Sequence, residues 1–482
     1  MPRIVLVSNR VTDVDAATQA GGVSVAIADL LINKSAVWFG WNGEVTESNG
    51  TPPLVSSETV GRSTLVTTPL CSNEFRDYYL GYSNSVLWPV FHNRLDLAQF
   101  EAGYFPEYVR VNRRFAAAIV KLLLPDDIIW VHDYHFILLA AEMRALGVTN
   151  PIGFFLHIPV PPSQAFLAVP EHVELADALA AYDLVGLQTQ QDTKNLIDFF
   201  QHAVSGQLLP DGRVRVGNRI VKIESLPVGI DVVEFAGDAN DQRVTEADPA
   251  ELRIIGIDRL DYTKGLPHKF RAYGRFLENN SKYRGRVVLS QIAPPTRQTL
   301  EAYSDIRAEL EALAGAINGQ YGELDWVPIN YMHRAVDRKQ LFGIYRGSRV
   351  GLVTPLRDGM NLVAKEYIAA QNPDDPGVLV LSRFAGAAEQ LEAAVIVNPY
   401  NVVEMADAIK FALEMPLDER RRRHKILHDV VSADANGNWS ETFISNLSAV
   451  AARNTQFKDA GGVGVLMRAL NLRSSPHFEE KV

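Results

Sequence analysis

Cysteine is almost missing from this sequence: Cys71 is the single one in 482 residues. That excludes an internal disulfide framework and a multi-cysteine zinc site. Long apolar runs are missing too, and none approaches the ~18 residues that a membrane span needs. The opening MPRIVLVSNR has too short an apolar stretch, and no small-residue cleavage site, for a secretory signal, so a cytoplasmic protein is expected. There is no basic excess: 47 Lys+Arg stand against 57 Asp+Glu, a net charge of −10. Nucleic acid is therefore not expected as a partner, although a local site for an anionic ligand stays open. Internal repeats, low-complexity tracts, GxxxxGK[ST] and HExxH are all absent. What remains is an ordinary globular composition, 47% apolar and 22% charged. The chain is long enough for two or three domains of ~100–200 residues.

Short β-branched and aromatic runs recur along it. The first half carries Arg3–Val7, Val37–Trp41, Thr64–Thr68, Ile128–His132, Ile152–His157, Leu184–Thr189 and Val221–Leu226. The second half carries Arg253–Ile257, Arg286–Ile292, Asp325–Ile329, Val350–Thr354, Val378–Ser382 and Ala394–Val397. Most are continuously apolar rather than alternating, which predicts strands covered on both faces of a parallel sheet. Helix-period segments lie between them, such as Arg110–Leu124, His172–Tyr182, Gln298–Asn318 and Asn361–Gln371. Such alternation predicts an α/β protein of doubly wound, Rossmann-like domains. The polar, acidic stretch Gly237–Ala250 separates the two sets of strands and marks the expected boundary. The expected division is 1–236, 237–455 and a loosely packed tail 456–482, the first two facing each other across a cleft and the last helix of the second able to pack back on the first.

In such sheets ligands bind beyond the carboxyl ends of the strands, so residues just after each run are the ones to weigh. After the first run come SNR and, further on, Gly21-Gly22 before a helix-like stretch; a glycine pair lets backbone N–H groups approach an anion, but is more often a turn. Asp13 and Asp15 form an Asp-x-Asp pair that could hold a divalent metal, but no further oxygen ligands are identifiable and a solvated loop is the simpler reading. The run ending in His132-Asp133-Tyr134-His135 and the one ending in His157 would put Asp133 and His157 on one rim, either as a site or as satisfied structural groups.

The second half offers more. Asp258-Arg259-Leu260-Asp261-Tyr262-Thr263-Lys264-Gly265 puts two cations in one strand-end loop. They suit a diphosphate, which a guanidinium can grip with two parallel hydrogen bonds; a surface ion pair with Asp258 or Asp261 is the competing reading. In VGLVTPLRDGMNLVAKEYIAA, Asp358 lies in the loop and the first turn of the following helix offers its N–H groups to a phosphate. Glu366, one to two turns in, can accept from both hydroxyls of a ribose, or simply face solvent. Together with Arg259 and Lys264 the set suits a nucleotide sugar. The run Arg420–Arg423 follows Asp418 and Glu419 on an expected helix and is read as a solvated, ion-paired face.

The stretches SNSVLWPVFH, VHDYH, FFLHIP, DRLDYTKGLP, QIAPPTR and TPLRDGMNLVAKEY, spread from SNR to about Asn446, carry a resemblance to the bacterial trehalose-6-phosphate synthases of glycosyltransferase family 20. The resemblance implies a GT-B fold and a retaining, metal-independent transfer of glucose from UDP-glucose to glucose 6-phosphate. It also implies front-face attack with a leaving-group phosphate as base, and no cofactor. The 1–236 domain would then hold the acceptor and the 237–455 domain the nucleotide sugar. Carried onto matching positions, Arg259 and Lys264 would bind the diphosphate, Gly22 would lie near the phosphates and Glu366 would take the ribose. His157, Asp358 and the backbone at Met360, Asn361 and Leu362 would hold the transferred glucose. Arg10 and Arg297 would clamp the acceptor phosphate, with Trp41, Tyr79 and Asp133 positioning its sugar. Asp133, His157, Arg259, Lys264 and Asp358 are the expected catalytic set, in a homo-oligomer of two or four chains. Transfer to glycerol 3-phosphate, or a catalytically silent sensor of sugar phosphates, are the alternatives; the latter predicts loss of Arg259, Lys264, Asp358 or Glu366, all of which stand.

Overall fold

In the computed structural model, residues 2–11, 35–47, 53–233, 235, 252–296, 301–433 and 439–453 are described. The expected boundary at Gly237–Ala250 and the tail from 456 lie outside them. Sixteen strands among the described residues build two sheets. The first holds β1 Ile4–Arg10, β2 Ala36–Thr46, β3 Ser56–Val60, β4 Ser63–Cys71, β5 Ile128–His132, β6 Ile152–Phe155, β7 Leu184–Leu187, β8 Gln207–Leu208, β9 Arg213–Val216 and β10 Arg219–Ser225. The second holds β11 Leu252–Ile257, β12 Val287–Ile292, β13 Ile329–Met332, β14 Val350–Val353, β15 Val378–Ser382 and β16 Val395–Val397.

The second sheet is parallel throughout, in the order β13-β12-β11-β14-β15-β16. The first has a parallel core, β4-β2-β1-β5-β6-β7-β10, with β3 and the β9–β8 pair added antiparallel at its edges. Counting only parallel strands, both sheets run third, second, first, fourth, fifth, sixth, and the first continues to a seventh, β10. This is the Rossmann order, and it reverses beside the first strand of each sheet. The crevices above β1/β5 and above β11/β14 are thus where the topology leaves room for ligands. Strands such as β5 (IIWVH), β7 (LVGL) and β15 (VLVLS) are buried along their whole length, since helices cover both faces.

The departures from expectation have local causes. The strand expected at Asp325–Ile329 begins instead at Ile329, directly after Pro328, which has no N–H for a ladder but accepts from Leu289 through its carbonyl. Edge strands β3 and β8, and β9 beside the latter, lack the continuous apolar pattern and were not expected. Nor was the helix Glu74–Leu87, wound with i→i+5 hydrogen bonds, because its repeat is not the ordinary helical one. The run Arg420–Arg423 needs correcting in part. Arg420 is buried, donating to Asp375, Pro376 and Met415, while Arg422 and Arg423 do pair with Glu419 on the helix face. Residues 439–453 are helical and cross back to the first sheet, where Phe443 stacks on Trp130 at 4.4 Å and the Trp439 indole donates to the Leu226 carbonyl.

Candidate functional site

The strand-end loops of the two sheets meet. On the side of the second sheet, β11 is followed by Asp258, whose carboxylate accepts from the fully buried ammonium of Lys269 at 2.7 Å. Gln291 on β12 closes this network from the neighbouring strand. A charge pair removed from water is tolerable only with such satisfied geometry, and here it fixes the root of the next loop. Asp261 caps the following turn through the Thr263 N–H and accepts from the Tyr303 hydroxyl. Arg259 stands exposed between these anchors, its guanidinium 5.8 Å from the Trp88 ring centroid, so the side chain spans from one sheet's rim to the other's.

Lys264 pairs with Asp358, neither with Asp258 nor with Asp261. Asn361 donates to the same Asp358 oxygen at 2.9 Å. Burial opposes the charge on Asp358, but the Lys264 ammonium outweighs it and holds the carboxyl below its ordinary range. Asn361 adopts φ 75°, a left-handed conformation that asparagine tolerates, and its side chain caps the helix Leu362–Ala370 through the Ala364 N–H. Met360 is buried and its carbonyl accepts from Ala387, which ties this loop to the next strand's. Leu362 packs partly against apolar side chains of the first sheet. Glu366 is half-buried, with the Tyr345 hydroxyl donating to it at 3.0 Å.

On the rim of the first sheet, β1 ends at Arg10, an exposed residue whose guanidinium lies 5.7 Å from the Trp41 ring centroid. Trp41 is 5.3 Å from Tyr79, and Tyr79 stacks on His135 at 6.0 Å, which leads to Asp133 two residues before it. The wide helix Glu74–Leu87 thus delivers Tyr79 to the end of β5. Asp133 has φ 74° and ψ 165°, a region that side-chain-bearing residues rarely occupy. Such strain costs on the order of 1–3 kcal/mol and persists only where the surroundings impose it. Here the Asp133 N–H donates to Phe155 at 2.8 Å, and its carboxylate accepts from the His157 N–H at 3.4 Å.

Three histidines line this rim in neutral form. Burial lowers His157 to about 3 and His92 to about 4, and pushes His132 well below 6.5. His92 donates through Nδ1 to the Trp88 carbonyl at 2.7 Å.

The two rims touch at Gly359. A Cβ there would lie 2.1 Å from the His157 carbonyl oxygen, so no other residue fits without separating them. Beside it Arg357 donates to the Val160 carbonyl at 3.4 Å. The Glu389 carboxylate accepts from Gln190 and Gln191 at the start of a first-sheet helix.

Of the expected site residues, the structure gathers Arg10, Trp41, Tyr79 and Asp133 on one rim. It gathers Arg259, Lys264, Asp358, Met360, Asn361, Leu362 and Glu366 on the other, with His157 where they meet. Gly22 and Arg297, with Asp13 and Asp15, lie outside the described residues. Lys269, Trp88, His92 and the contact of His132 with His157 were not anticipated. Lys269 did leave a trace: it falls on the apolar face formed by Leu266, Phe270, Tyr273 and Phe276, where a lysine must find a buried partner. Among the described residues no group of three or more His, Cys, Asp or Glu side chains is disposed to hold a metal ion.

Comparison with known proteins bears on the family and the fold. Residues 4–449 match the model of glycosyltransferase family 20. A trehalose-6-phosphate synthase from Klebsiella pneumoniae is 43% identical over 472 residues, covering 96% of this chain and 98% of that one. A UDP-forming alpha,alpha-trehalose-phosphate synthase from Burkholderia xenovorans, solved in complex with glucose-6-phosphate, superposes with a TM-score of 0.88 at 44% identity, covering 92% of this chain and all of that one. An E. coli trehalose-6-phosphate structure bound with UDP-2-fluoro glucose gives 0.88 at 43% identity, covering 92% of this chain and 98% of that one.

Proposed function

The chain belongs to glycosyltransferase family 20, and from that premise we propose that it moves glucose from UDP-glucose to glucose 6-phosphate, giving α,α-trehalose 6-phosphate and UDP. The observation that carries the reading is the junction at Gly359, where a cationic rim suited to a diphosphate abuts a ring-lined rim suited to a sugar. Relatives of the same fold, matched over 98% or more of their length, have been solved with a UDP-sugar analogue and with glucose-6-phosphate, which supports both substrates.

Breaking the sugar–phosphate bond builds negative charge on the leaving diphosphate. Arg259 offers a guanidinium from an exposed position. Lys264 has three N–H donors, of which Asp358 takes one and two are left for phosphate oxygens. The first turn of the helix Leu362–Ala370 adds further N–H groups. Groups held in place before the reaction stabilise that charge without reorganising. Gly22 is assigned beside the phosphates. Glu366 would accept from ribose hydroxyls in place of the Tyr345 hydroxyl. Asp358, His157 and the 360–362 backbone would hold the glucose, and Asp133 its attacking partner. Arg10 and Arg297 are assigned to the acceptor phosphate, with Trp41 and Tyr79 as the walls of its pocket. Retention would follow from front-face attack, the leaving phosphate taking the acceptor proton. Metal independence, a cytoplasmic location, a homo-oligomer and the division at 237 belong to the same proposal.

The test is UDP release from UDP-glucose in EDTA, with glucose 6-phosphate, glycerol 3-phosphate or no acceptor. Release only with glucose 6-phosphate, yielding a non-reducing disaccharide phosphate, is expected. Release with glycerol 3-phosphate would move the chain to that acceptor, and no release with either would point to a sugar-phosphate sensor.

A further inference from the structure

His132 ends β5 and His157 follows the neighbouring parallel strand β6 by two residues, and their rings stack with centroids 5.3 Å apart and planes 17° from parallel. His132 Nδ1 lies 3.0 Å from His157 Nε2, so one hydrogen atom is shared between two nitrogens. His132 is 1% exposed, packed between Trp130 and Trp439, and its Nε2 has no hydrogen-bond partner among the described residues. His157 is only half-buried, and its Nδ1 is not among the buried side-chain atoms left without a partner.

Two neutral arrangements are possible. If His157 donated, His132 would carry its own proton on Nε2, a buried N–H with nothing to receive it. If His132 donates, its Nε2 is instead a bare lone pair. Orphaned buried N–H groups are rarer in folded proteins than under-used acceptors. The second arrangement also fixes what His157 shows to the cleft: with Nε2 occupied as an acceptor, its proton must sit on Nδ1.

We propose that His132 is a positioning residue that locks His157 in the Nδ1–H tautomer, so that His157 meets the sugar as a hydrogen-bond donor. Burial holds both rings neutral, so the arrangement does not depend on a positive charge. The step from tautomer to transfer rests on the function proposed above; the tautomer itself does not.

Long-range 1H–15N correlation spectra of the full-length protein labelled with 15N-histidine report the tautomer directly, with His132→Asn and His157→Gln serving for assignment. Protonated Nδ1 and bare Nε2 on both rings is expected, and a protonated Nε2 on His157 overturns the proposal. In UDP release with glucose 6-phosphate, His132→Phe should lower kcat about tenfold, the worth of one hydrogen bond, with the acceptor KM unchanged. His132→Asn, whose amide can donate from near the place of Nδ1, should recover most of that loss. Equal losses in the two variants would also overturn it. Absence of turnover in the wild type, with the expected tautomer, would sink the proposed function and leave this assignment standing.

Discussion

The two rims use the same strand order and opposite chemistry. Above β11 and β14 the loops are held by charge: Lys269 with Asp258 at full burial, and Lys264 with Asp358. Above β1 and β5 they are held by rings and neutral nitrogens: Trp41, Tyr79, His135, and the His132–His157 pair. The contrast teaches that one topology sets where a ligand lies while the side chains at the strand ends set which charge it can bring. A leaving diphosphate needs fixed cations, whereas the hydroxyls of a sugar need directional hydrogen-bond partners.

The contrast can be broken on the charged side first. Lys269→Met leaves Asp258 buried without its cation, and loss of one partner of such a pair costs about 3–5 kcal/mol. Adding Asp258→Asn should recover most of it, read as denaturation midpoints; full stability in the single variant would show that the pair is not what roots the loop. Arg259→Ala should lower kcat roughly 10²–10³-fold, the scale for removing one preorganised charge stabiliser. Because Arg259 is exposed, its unfolding midpoint should stay at the wild-type value. Gly359→Ala attacks the junction itself, pushing a Cβ against the His157 carbonyl. A displacement of about 1 Å between the rims should cost on the order of 10²-fold in kcat/KM. Unchanged turnover there would mean that the rims need not touch.

Acid separates the rims more gently. His157 and His92 fall to about 3 and about 4 in the folded chain against 6.5 when unfolded. The unfolded chain therefore binds more protons as pH drops from about 6.5 to about 3, and stability is lost across that window while being fully present above it. Asp358, held below its ordinary 3.8, contributes above that value and is lost only further down. Unfolding midpoints between pH 7 and pH 4 should thus decline in the wild type and decline less in His157→Gln. A flat wild-type profile would deny that the ring rim is neutral by burial.

How much of this was legible follows from the physics of each signal. Parallel strands announce themselves because burial on both faces writes continuous apolar runs, so the cores of β5, β7, β14 and β15 could be read directly. The cations at Arg259 and Lys264 and the loop at Asp358 were legible because strand ends are where this topology binds. Edge strands β3 and β8 were not, since exposure erases the pattern, nor was β9, whose RVRV alternates arginine with valine. Contacts between distant segments write nothing local: Trp88 under Arg259, or the His157 carbonyl against Gly359, exist only once both sheets are folded. Partner choice was equally hidden, as Lys264 stands three residues after Asp261 yet pairs with Asp358.

The smallest effect tests the ring side where it meets charge. Arg10 is the cation expected to grip the acceptor phosphate, and it rests against Trp41 rather than against a carboxylate. An aromatic face can orient a guanidinium by roughly 0.5–1 kcal/mol at an exposed site without consuming its N–H donors, which an acidic partner would do. Trp41→Leu keeps an apolar side chain but removes that face. The acceptor KM should then rise about two- to fivefold, with kcat and the KM for UDP-glucose near their wild-type values. A fall in kcat instead would place Trp41 against the sugar in the transition state. No change at all would mean that Arg10 is aligned by the backbone of β1 alone, and the ring rim would then serve shape and not charge.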